Sequence, residues 1–327
     1  MQVLVTGAGS ALLGLVVRSL AARGDQVRVL QRRRVDGFDE LGVVQHLGDI
    51  RDVAAVRAAV DGCDAVIHGA ALVGVVGGYD EFASVNIDGT RNVIDAVRDG
   101  GVRRMVHIST PSVAHLGDSL VGEPAGVAHT GRRHGEHYSE TKAHGELLAL
   151  DAADSGLGVV ALRPHLVWGP GDRQLVGRIV ERARGGRLPL IGGGTALVDT
   201  TYLDNAADAI IAGLDAVAPN SVVSGRAYVV ANGEPRPIRD LLVGICRAAG
   251  LDPRPVNVAP APARVVGGVV ERVWPRLRSS EPPLTRFVVD QLATAHWFDL
   301  RATHADLEWR PRIGLDEGLA LLAASFR

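Results

Sequence analysis

The chain has 327 residues, of which 46% are hydrophobic and 22% are charged, a composition that argues against extensive disorder. Its formal net charge of −2 excludes a strong general attraction to nucleic acid or to an anionic membrane. No apolar run reaches the ~18 residues of a membrane span, and the first strand follows Met1 directly. We therefore expect no transmembrane segment, no signal peptide and a cytoplasmic location.

Short apolar strands alternate with amphipathic helices through the first half of the chain. The pattern predicts strands at Val3–Thr6, Val27–Leu30, Val43–His46, Ala65–His68, Arg104–Ser109 and Gly158–Leu162. It predicts helices at Leu12–Arg23, Val53–Val60, Phe82–Arg98 and His137–Ala153. This alternation indicates an α/β fold with a doubly wound parallel sheet of the Rossmann type. Ligands of such sheets bind at the carboxyl ends of the strands.

The second half of the chain is less regular. It predicts helices at Val176–Arg184, Asn205–Ala216 and Arg239–Ala249, a strand at Ala227–Ala231, and a loop with an amphipathic helix in Ala259–Pro283. We expect a dinucleotide-binding domain in residues 1–172. Residues 173–327 would form a smaller substrate-binding lobe, with segments that can return to the main sheet.

A glycine-rich turn follows the first strand and opens the first helix. Glycines in such a turn let the backbone approach a pyrophosphate, which then lies at the helix N-terminus. The expected cofactor contacts in this turn are Gly7, Gly9, Ser10, Ala11 and Leu12. The alternative is a plain turn, because the chain has 40 glycines.

The end of the second strand indicates which dinucleotide would bind. An acid there would hold the ribose 2′-hydroxyl of NAD, whereas arginines accommodate the 2′-phosphate of NADP. This chain has no acid there and continues with Arg32, Arg33 and Arg34, so we expect NADP(H) rather than NAD(H). Asp49 and Ile50, after the third strand, are expected near the adenine, although a turn role for Asp49 remains open.

The one lysine of the chain, Lys142, lies four residues after Tyr138 on a predicted helix. Residues at this spacing share a helix face. The ammonium would lower the phenol pKa from about 10 toward neutrality. The pair would then donate and accept protons in carbonyl–alcohol chemistry. The alternative is a solvated helix with one chance lysine.

Three further polar residues lie in loops after strands. Thr110 could hold a substrate carbonyl oxygen, although a cap or turn is the usual role of such a hydroxyl. His165 and Ser112 are candidate substrate contacts, and a structural hydrogen bond is the more common role of a histidine like His165. No set of side chains has the spacing of metal ligands, so no metal is expected.

Eight motifs in order resemble the extended short-chain dehydrogenase/reductase superfamily, and specifically its 3β-hydroxysteroid dehydrogenase-like branch. They are Val5–Gly7, His68–Ala71, Asn86–Val93, Ser109–Val113, Tyr138–Lys142, Leu162–Pro164, Asp199–Asn205 and Leu307–Pro311. The resemblance covers essentially the whole chain. It is greatest to the 2-alkyl-3-oxoalkanoate reductases and the sterol-4α-carboxylate 3-dehydrogenases of this branch.

The resemblance implies an NADP(H)-dependent oxidoreductase that interconverts a ketone and a secondary alcohol on a small hydrophobic substrate, a β-keto acid or a steroid-like ring. Tyr138 would be the acid/base, Lys142 would bind the nicotinamide ribose, and Thr110 would hold the developing alkoxide. Asn86 would order Lys142 through water. The resemblance also implies cofactor contacts at Ala70, Ala71, Pro164 and Leu166.

One departure concerns the turn, which in the superfamily usually reads TGxxGxxG. Here the second and third glycines are replaced by Ser10 and Leu13, and Gly14 is displaced by one position. This departure leaves open whether helix and strand pack tightly at Leu13 and whether the cofactor binds with ordinary affinity; the alternatives are a shifted turn and weak cofactor binding. The alternatives to a reductase are a nucleotide-sugar epimerase or dehydratase and a non-catalytic cofactor-sensing regulator. The resemblance also implies a homodimer through the helices at Phe82–Arg98 and His137–Ala153, and burial of these helix faces within the monomer is the alternative.

Overall fold

The computed structural model describes residues 1–74, 77–115, 117–131, 137–277 and 284–327. The strands are β1 Gln2–Thr6, β2 Gln26–Gln31, β3 Val44–Leu47, β4 Ala65–His68, β5 Arg104–Ile108, β6 Leu120–Glu123, β7 Gly158–Pro164, β8 Val167–Trp168, β9 Arg187–Ile191, β10 Leu197–Val198, β11 Thr201–Tyr202, β12 Arg226–Val230, β13 Arg236–Pro237, β14 Arg254–Val258 and β15 His296–Phe298. The α-helices are α1 Ala11–Arg23, α2 Val53–Val60, α3 Tyr79–Ala83, α4 Thr90–Asp99, α5 His137–Asp151, α6 Val176–Ala183, α7 Leu203–Ala216, α8 Ile238–Ala248, α9 Pro260–Leu277, α10 Arg286–Ala293, α11 Arg301–Asp306 and α12 Leu315–Ser325.

A seven-stranded parallel sheet in the order β12-β7-β5-β4-β1-β2-β3 forms the centre of the molecule. The strand order reverses between β1 and β4, which is the switch point where doubly wound sheets bind ligands. The predicted fold class is therefore confirmed. Strand β12 comes from the second half of the chain and pairs with β7 at the edge of the sheet.

Helices cover both faces of the sheet because side chains alternate along each strand. Val3 and Val5 of β1 belong to the core cluster with α1 and α7, whereas Leu4 belongs to the cluster with α2, α4 and α5. All three side chains are fully buried. Burying a side chain of this size contributes roughly 1.5–3 kcal/mol, so the two faces fix the register of the central strand.

The single helix predicted at Phe82–Arg98 is interrupted by a π-helical segment, Ser84–Gly89, between α3 and α4. Two close packings accompany it. A Cβ at Gly89 would lie 2.6 Å from the Ile50 Cδ1 atom, and a Cβ at Gly145 of α5 would lie 2.5 Å from the Asn86 carbonyl oxygen. The π segment thus packs closely against both Ile50 and α5, and such segments are frequent at functional sites.

A further core cluster contains α6, α8 and α12, and α8 packs against the other two helices. The small sheets, β13-β10-β15-β6, β11-β8 and β14-β9, were not predicted. Of the predicted Ala259–Pro283 segment, the structure forms α9, and residues 278–283 lie outside the described residues. No helix in the described part of the chain is long and apolar enough to cross a membrane.

Candidate active site

A cavity of about 1140 Å³ lies at the carboxyl ends of the central strands. Ten predicted site residues line it: Gly9, Ser10, Ala11, Leu12, Ala71, Thr110, Tyr138, Lys142, Pro164 and Leu166. Nine others do not: Gly7, Arg32, Arg33, Asp49, Ile50, Ala70, Asn86, Ser112 and His165. The cavity thus joins the glycine-rich turn to the Tyr–Lys pair.

The glycine-rich turn places the backbone of β1 against that of β4. Gly7 has φ +80°, and a Cβ there would lie 2.8 Å from the Ala70 nitrogen, so only glycine fits. The Thr6 hydroxyl accepts hydrogen bonds from the Gly69 and Ala70 nitrogens at 3.2 and 3.1 Å. Ser10 caps α1 by accepting from the Leu13 nitrogen at 3.2 Å. The first amides of α1 therefore face the cavity as an anion-binding end.

The packing at Leu13, which the sequence left open, is tight. Leu13 is only 3% exposed, and a Cβ added at Gly69, after β4, would overlap with its Cδ1 methyl. In the usual motif, the third glycine on the helix leaves room for the strand. Here Gly69, after β4, leaves room for the Leu13 side chain instead. The turn therefore keeps tight helix–strand packing with a different residue pair.

Tyr138 and Lys142 lie one turn apart on α5, and both line the cavity. Lys142 is 4% exposed, and its Nζ donates to the Ile108 carbonyl at 2.7 Å. Burial lowers the pKa of Lys142 to about 8, although the Glu146 carboxylate opposes the shift. This ammonium can therefore lose its proton just above neutral pH.

The expected low pKa of the Tyr138 phenol is wrong for this state of the protein. Burial raises the pKa of Tyr138 to about 12. The Lys142 ammonium bonds to the Ile108 carbonyl instead, and no described residue hydrogen-bonds to the Tyr138 hydroxyl. The phenol therefore keeps its proton at neutral pH and is a proton donor.

Asn86 anchors α5 without contacting Lys142. Its Oδ1 accepts from the Leu72 nitrogen at 2.8 Å, and its Nδ2 donates to the Leu72 carbonyl at 3.1 Å and to the Thr141 hydroxyl at 3.0 Å. Thr141 directly precedes Lys142. The π segment and this amide together fix the start of α5, and thereby the position of Lys142.

Hydroxyl groups follow β5 at the wall of the cavity. The Thr110 hydroxyl lies 3.1 Å from that of Ser112 and caps a short 3-10 turn at Pro111–Val113. Ser109 also lines the cavity, and its buried Oγ has no hydrogen-bond partner among the described residues. Sequence reasoning preferred Thr110 and missed Ser109, although its place at the strand end was visible.

The residues expected near the adenine ribose lie at the ends of β2 and β3. Arg32 and Arg33 are exposed, and no described residue forms an ion pair with them, whereas Arg34 pairs with Asp39 at 2.8 Å. Asp49 pairs with Arg51 at 2.8 Å, and this hydrogen-bonded pairing lowers its pKa to about 2. These contacts favour the turn role for Asp49.

In the loop after β7, the neighbouring residues His165 and Leu166 have different surroundings. Leu166 lines the cavity and has φ +42°, a strained conformation of the kind that clusters at ligand sites. His165 is 6% exposed and donates from Nδ1 to the Asp199 carbonyl at 2.5 Å. Burial lowers its pKa to about 4, so it is a neutral structural residue in this structure.

Several lining residues carried no sequence signal. Arg18 of α1 lies 5.4 Å from the centre of the Phe38 ring, and both residues line the cavity. Arg173 also lines it, and the described residues provide no ion-pair partner for its guanidinium. Neither arginine belongs to a motif, so only the fold reveals their position.

Comparisons with known proteins agree with this geometry. The family model described as the 3-beta hydroxysteroid dehydrogenase/isomerase family matches residues 4–260. The chain belongs to this family. It is 43% identical to the 2-alkyl-3-oxoalkanoate reductase of Stenotrophomonas maltophilia, over 99% of each chain. It is 37% identical to the protein of that description from Shewanella oneidensis, over 98% of this chain and 85% of the other.

The solved structures confirm the superfamily. A UDP-glucose 4-epimerase from Thermus thermophilus, in complex with NAD, is 26% identical with a TM-score of 0.69, over 100% of this chain and 99% of that one. The protein is thus an oxidoreductase of the extended short-chain dehydrogenase/reductase superfamily, and the resemblance seen in the sequence is confirmed.

Proposed function

We propose that this protein is an NADP(H)-dependent ketoreductase that reduces the 3-oxo group of a 2-alkyl-3-oxoalkanoate. The observation that carries the proposal is the cavity itself. It joins the N-terminus of α1 to Tyr138, Lys142 and Thr110. The 43% identity to a 2-alkyl-3-oxoalkanoate reductase, over nearly all of both chains, supports the choice of substrate.

The residues present fit a dinucleotide. The close approach of Gly7 to Ala70 and the Ser10-capped end of α1 suit a pyrophosphate. Arg32 and Arg33, free of ion pairs with described residues, suit a 2′-phosphate. The chemistry that NADPH supplies when bound is a hydride for the carbonyl carbon of the substrate.

Tyr138 donates the proton that completes the reduction. Its phenol O–H bond breaks, the proton passes to the former carbonyl oxygen, and the product is a secondary alcohol. A phenol with a pKa of about 12 is protonated at neutral pH, which is the form that reduction requires. The nearby Lys142 ammonium stabilises the phenolate that remains, and Thr110 donates a hydrogen bond to the developing alkoxide.

The cavity also suits an apolar acid. Leucine side chains contribute much of its lining: Leu12, Leu15, Leu175, Leu203 and Leu321. Arg173 supplies a cation without an ion-pair partner among the described residues. A carboxylate on an alkyl body would use both features.

The test is turnover in the direction that avoids an unstable substrate, since free 3-oxo acids lose carbon dioxide. A 2-alkyl-3-hydroxyalkanoate is incubated with NADP⁺, and the ketone that forms after decarboxylation is quantified by mass spectrometry. We expect turnover with the acid and at least tenfold less with the corresponding alcohol that lacks the carboxylate.

A second arm addresses the epimerase alternative. Thermal unfolding is followed with UDP-glucose and, separately, with the 2-alkyl-3-hydroxyalkanoate, each with NADP⁺ present. Protection by the acid supports the proposal, because a ligand that binds only the folded state raises the melting temperature. Protection by UDP-glucose alone, with no turnover of the acid, would refute it.

A further inference from the structure

Two buried histidines lie beside Lys142 on the sheet. His107 of β5 and His68 of β4 are directly paired in register, and their ring centres are 5.5 Å apart. They are 0% and 1% exposed. No motif of the superfamily quoted above assigns a role to His107.

Of the two, only His107 contacts the lysine. Its Nε2 lies 3.5 Å from Lys142 Nζ, at the outer limit of a hydrogen bond, while Nζ also donates to the Ile108 carbonyl at 2.7 Å. His68 instead bonds through Nδ1 to the Thr6 hydroxyl at 2.8 Å and through Nε2 to the Thr90 hydroxyl at 3.1 Å.

The surroundings of His107 make it an acceptor for the ammonium. Burial and the charge of Lys142 hold the pKa of His107 well below its usual range, so the ring is neutral. A neutral imidazole has one acceptor nitrogen. Because Nε2 faces the ammonium, the proton resides on Nδ1, which has no partner among the described residues. The contact with Lys142 is therefore the one hydrogen bond of the His107 ring among the described residues.

The other polar groups near Lys142 do not replace this acceptor. Glu146, on the same helix, is held by the Arg163 guanidinium, with Nε to Oε2 at 2.8 Å and both side chains 1% exposed. The Asn86 amide is bonded to Leu72 and Thr141 instead.

We propose that His107 is the positioning residue of Lys142. Its Nε2 accepts a hydrogen bond from the ammonium and, with the Ile108 carbonyl, holds the charge at the wall of the cavity that Tyr138 lines. The effect on turnover rests on the proposed function, whereas the hydrogen bond does not. Removing the acceptor disfavours the charged amine, so the pKa of Lys142 falls further.

The single lysine of the chain makes this directly measurable. Protein labelled with ¹³C at the lysine Cε gives one side-chain signal, whose chemical shift is followed against pH. We expect a pKa of about 8 in the wild type. In His107→Leu it should fall by about one unit, because a hydrogen bond to a charged group is among the strong ones.

Two variants serve as controls. His107→Gln keeps an acceptor at a similar reach and should restore most of the pKa. His68→Leu removes the paired imidazole without removing an acceptor of Lys142, so the lysine should titrate as in the wild type. If His107→Leu does not fold, His107→Met carries the same expectation.

The pH profile of kcat/KM for NADPH, which reports the pKa values of the free enzyme, supplies the functional readout. Its alkaline limb should move from about pH 8 to about pH 7 in His107→Leu and return in His107→Gln. An unchanged lysine titration in His107→Leu, or an equal shift in His68→Leu, overturns the inference. If the wild type does not reduce the ketone, the proposed function fails, while the titration still decides the role of His107.

Discussion

Replacing Lys142 by methionine should stabilise the protein more at pH 7 than at pH 10, and it should abolish turnover. Burial lowers the pKa of Lys142 from its ordinary 10.5 to about 8. A depression of this size corresponds to about 3 kcal/mol, the free energy by which the charged side chain destabilises the folded state below pH 8. The unfolded chain binds the proton more tightly between pH 8 and 10.5, so the wild type gains stability as pH rises through this range.

Urea denaturation of the wild type and Lys142→Met at pH 7 and pH 10 measures this. We expect the pH-dependent advantage of methionine to be about 3 kcal/mol at pH 7 and to shrink to about 1 kcal/mol at pH 10. Any constant offset, such as the lost bond to the Ile108 carbonyl, cancels between the two pH values. Arg57→Met, at an exposed cation that stays charged, is the control and should show no such change. A stability difference that is the same at both pH values would refute the reasoning.

Three further outcomes are expected. Tyr138→Phe should lower kcat at least a hundredfold, because it removes the proton donor. The affinity for NADPH, measured by calorimetry, should not change. Retained turnover would show that another group donates the proton. Joint replacement of Arg32 and Arg33 by serine should weaken NADPH binding roughly tenfold or more and leave NADH binding unchanged. An equal loss of affinity for both cofactors would contradict the role of these arginines in binding the 2′-phosphate. Gly69→Ala should cost about 1–3 kcal/mol in urea denaturation through overlap with Leu13. The double variant with Leu13→Ala should lose less stability than the sum of the two single variants, and additive losses would contradict direct packing.

The sequence predicted the main sheet because its signals are local. The apolar, β-branched runs at Val3–Thr6 and Ala65–His68 are bounded by glycine or polar residues, and the structure places β1 and β4 there. Strands of two or three residues, such as Val167–Trp168, carry too little alternation to be seen. The π-helical turn at Ser84–Gly89 was not predictable either, because its packing partners lie elsewhere in the chain.

The site shows the same limit at the level of single residues. The spacing of Tyr138 and Lys142 predicted that they share a helix face, and the structure has both lining one cavity. It could not predict the protonation of the phenol, because that depends on where the ammonium finds its acceptors. The carbonyl of Ile108 and the ring of His107 are supplied by β5, more than thirty residues earlier in the chain.

Leu13 stands where the motif has glycine, and a residue far away in the sequence compensates for it. The sequence around Leu13 therefore does not reveal the compensation. A motif records which positions must be small, but the physical requirement is that the helix and the strand approach closely. A glycine on either partner meets that requirement, and here Gly69 of the strand end provides it. The altered turn is therefore compatible with cofactor binding.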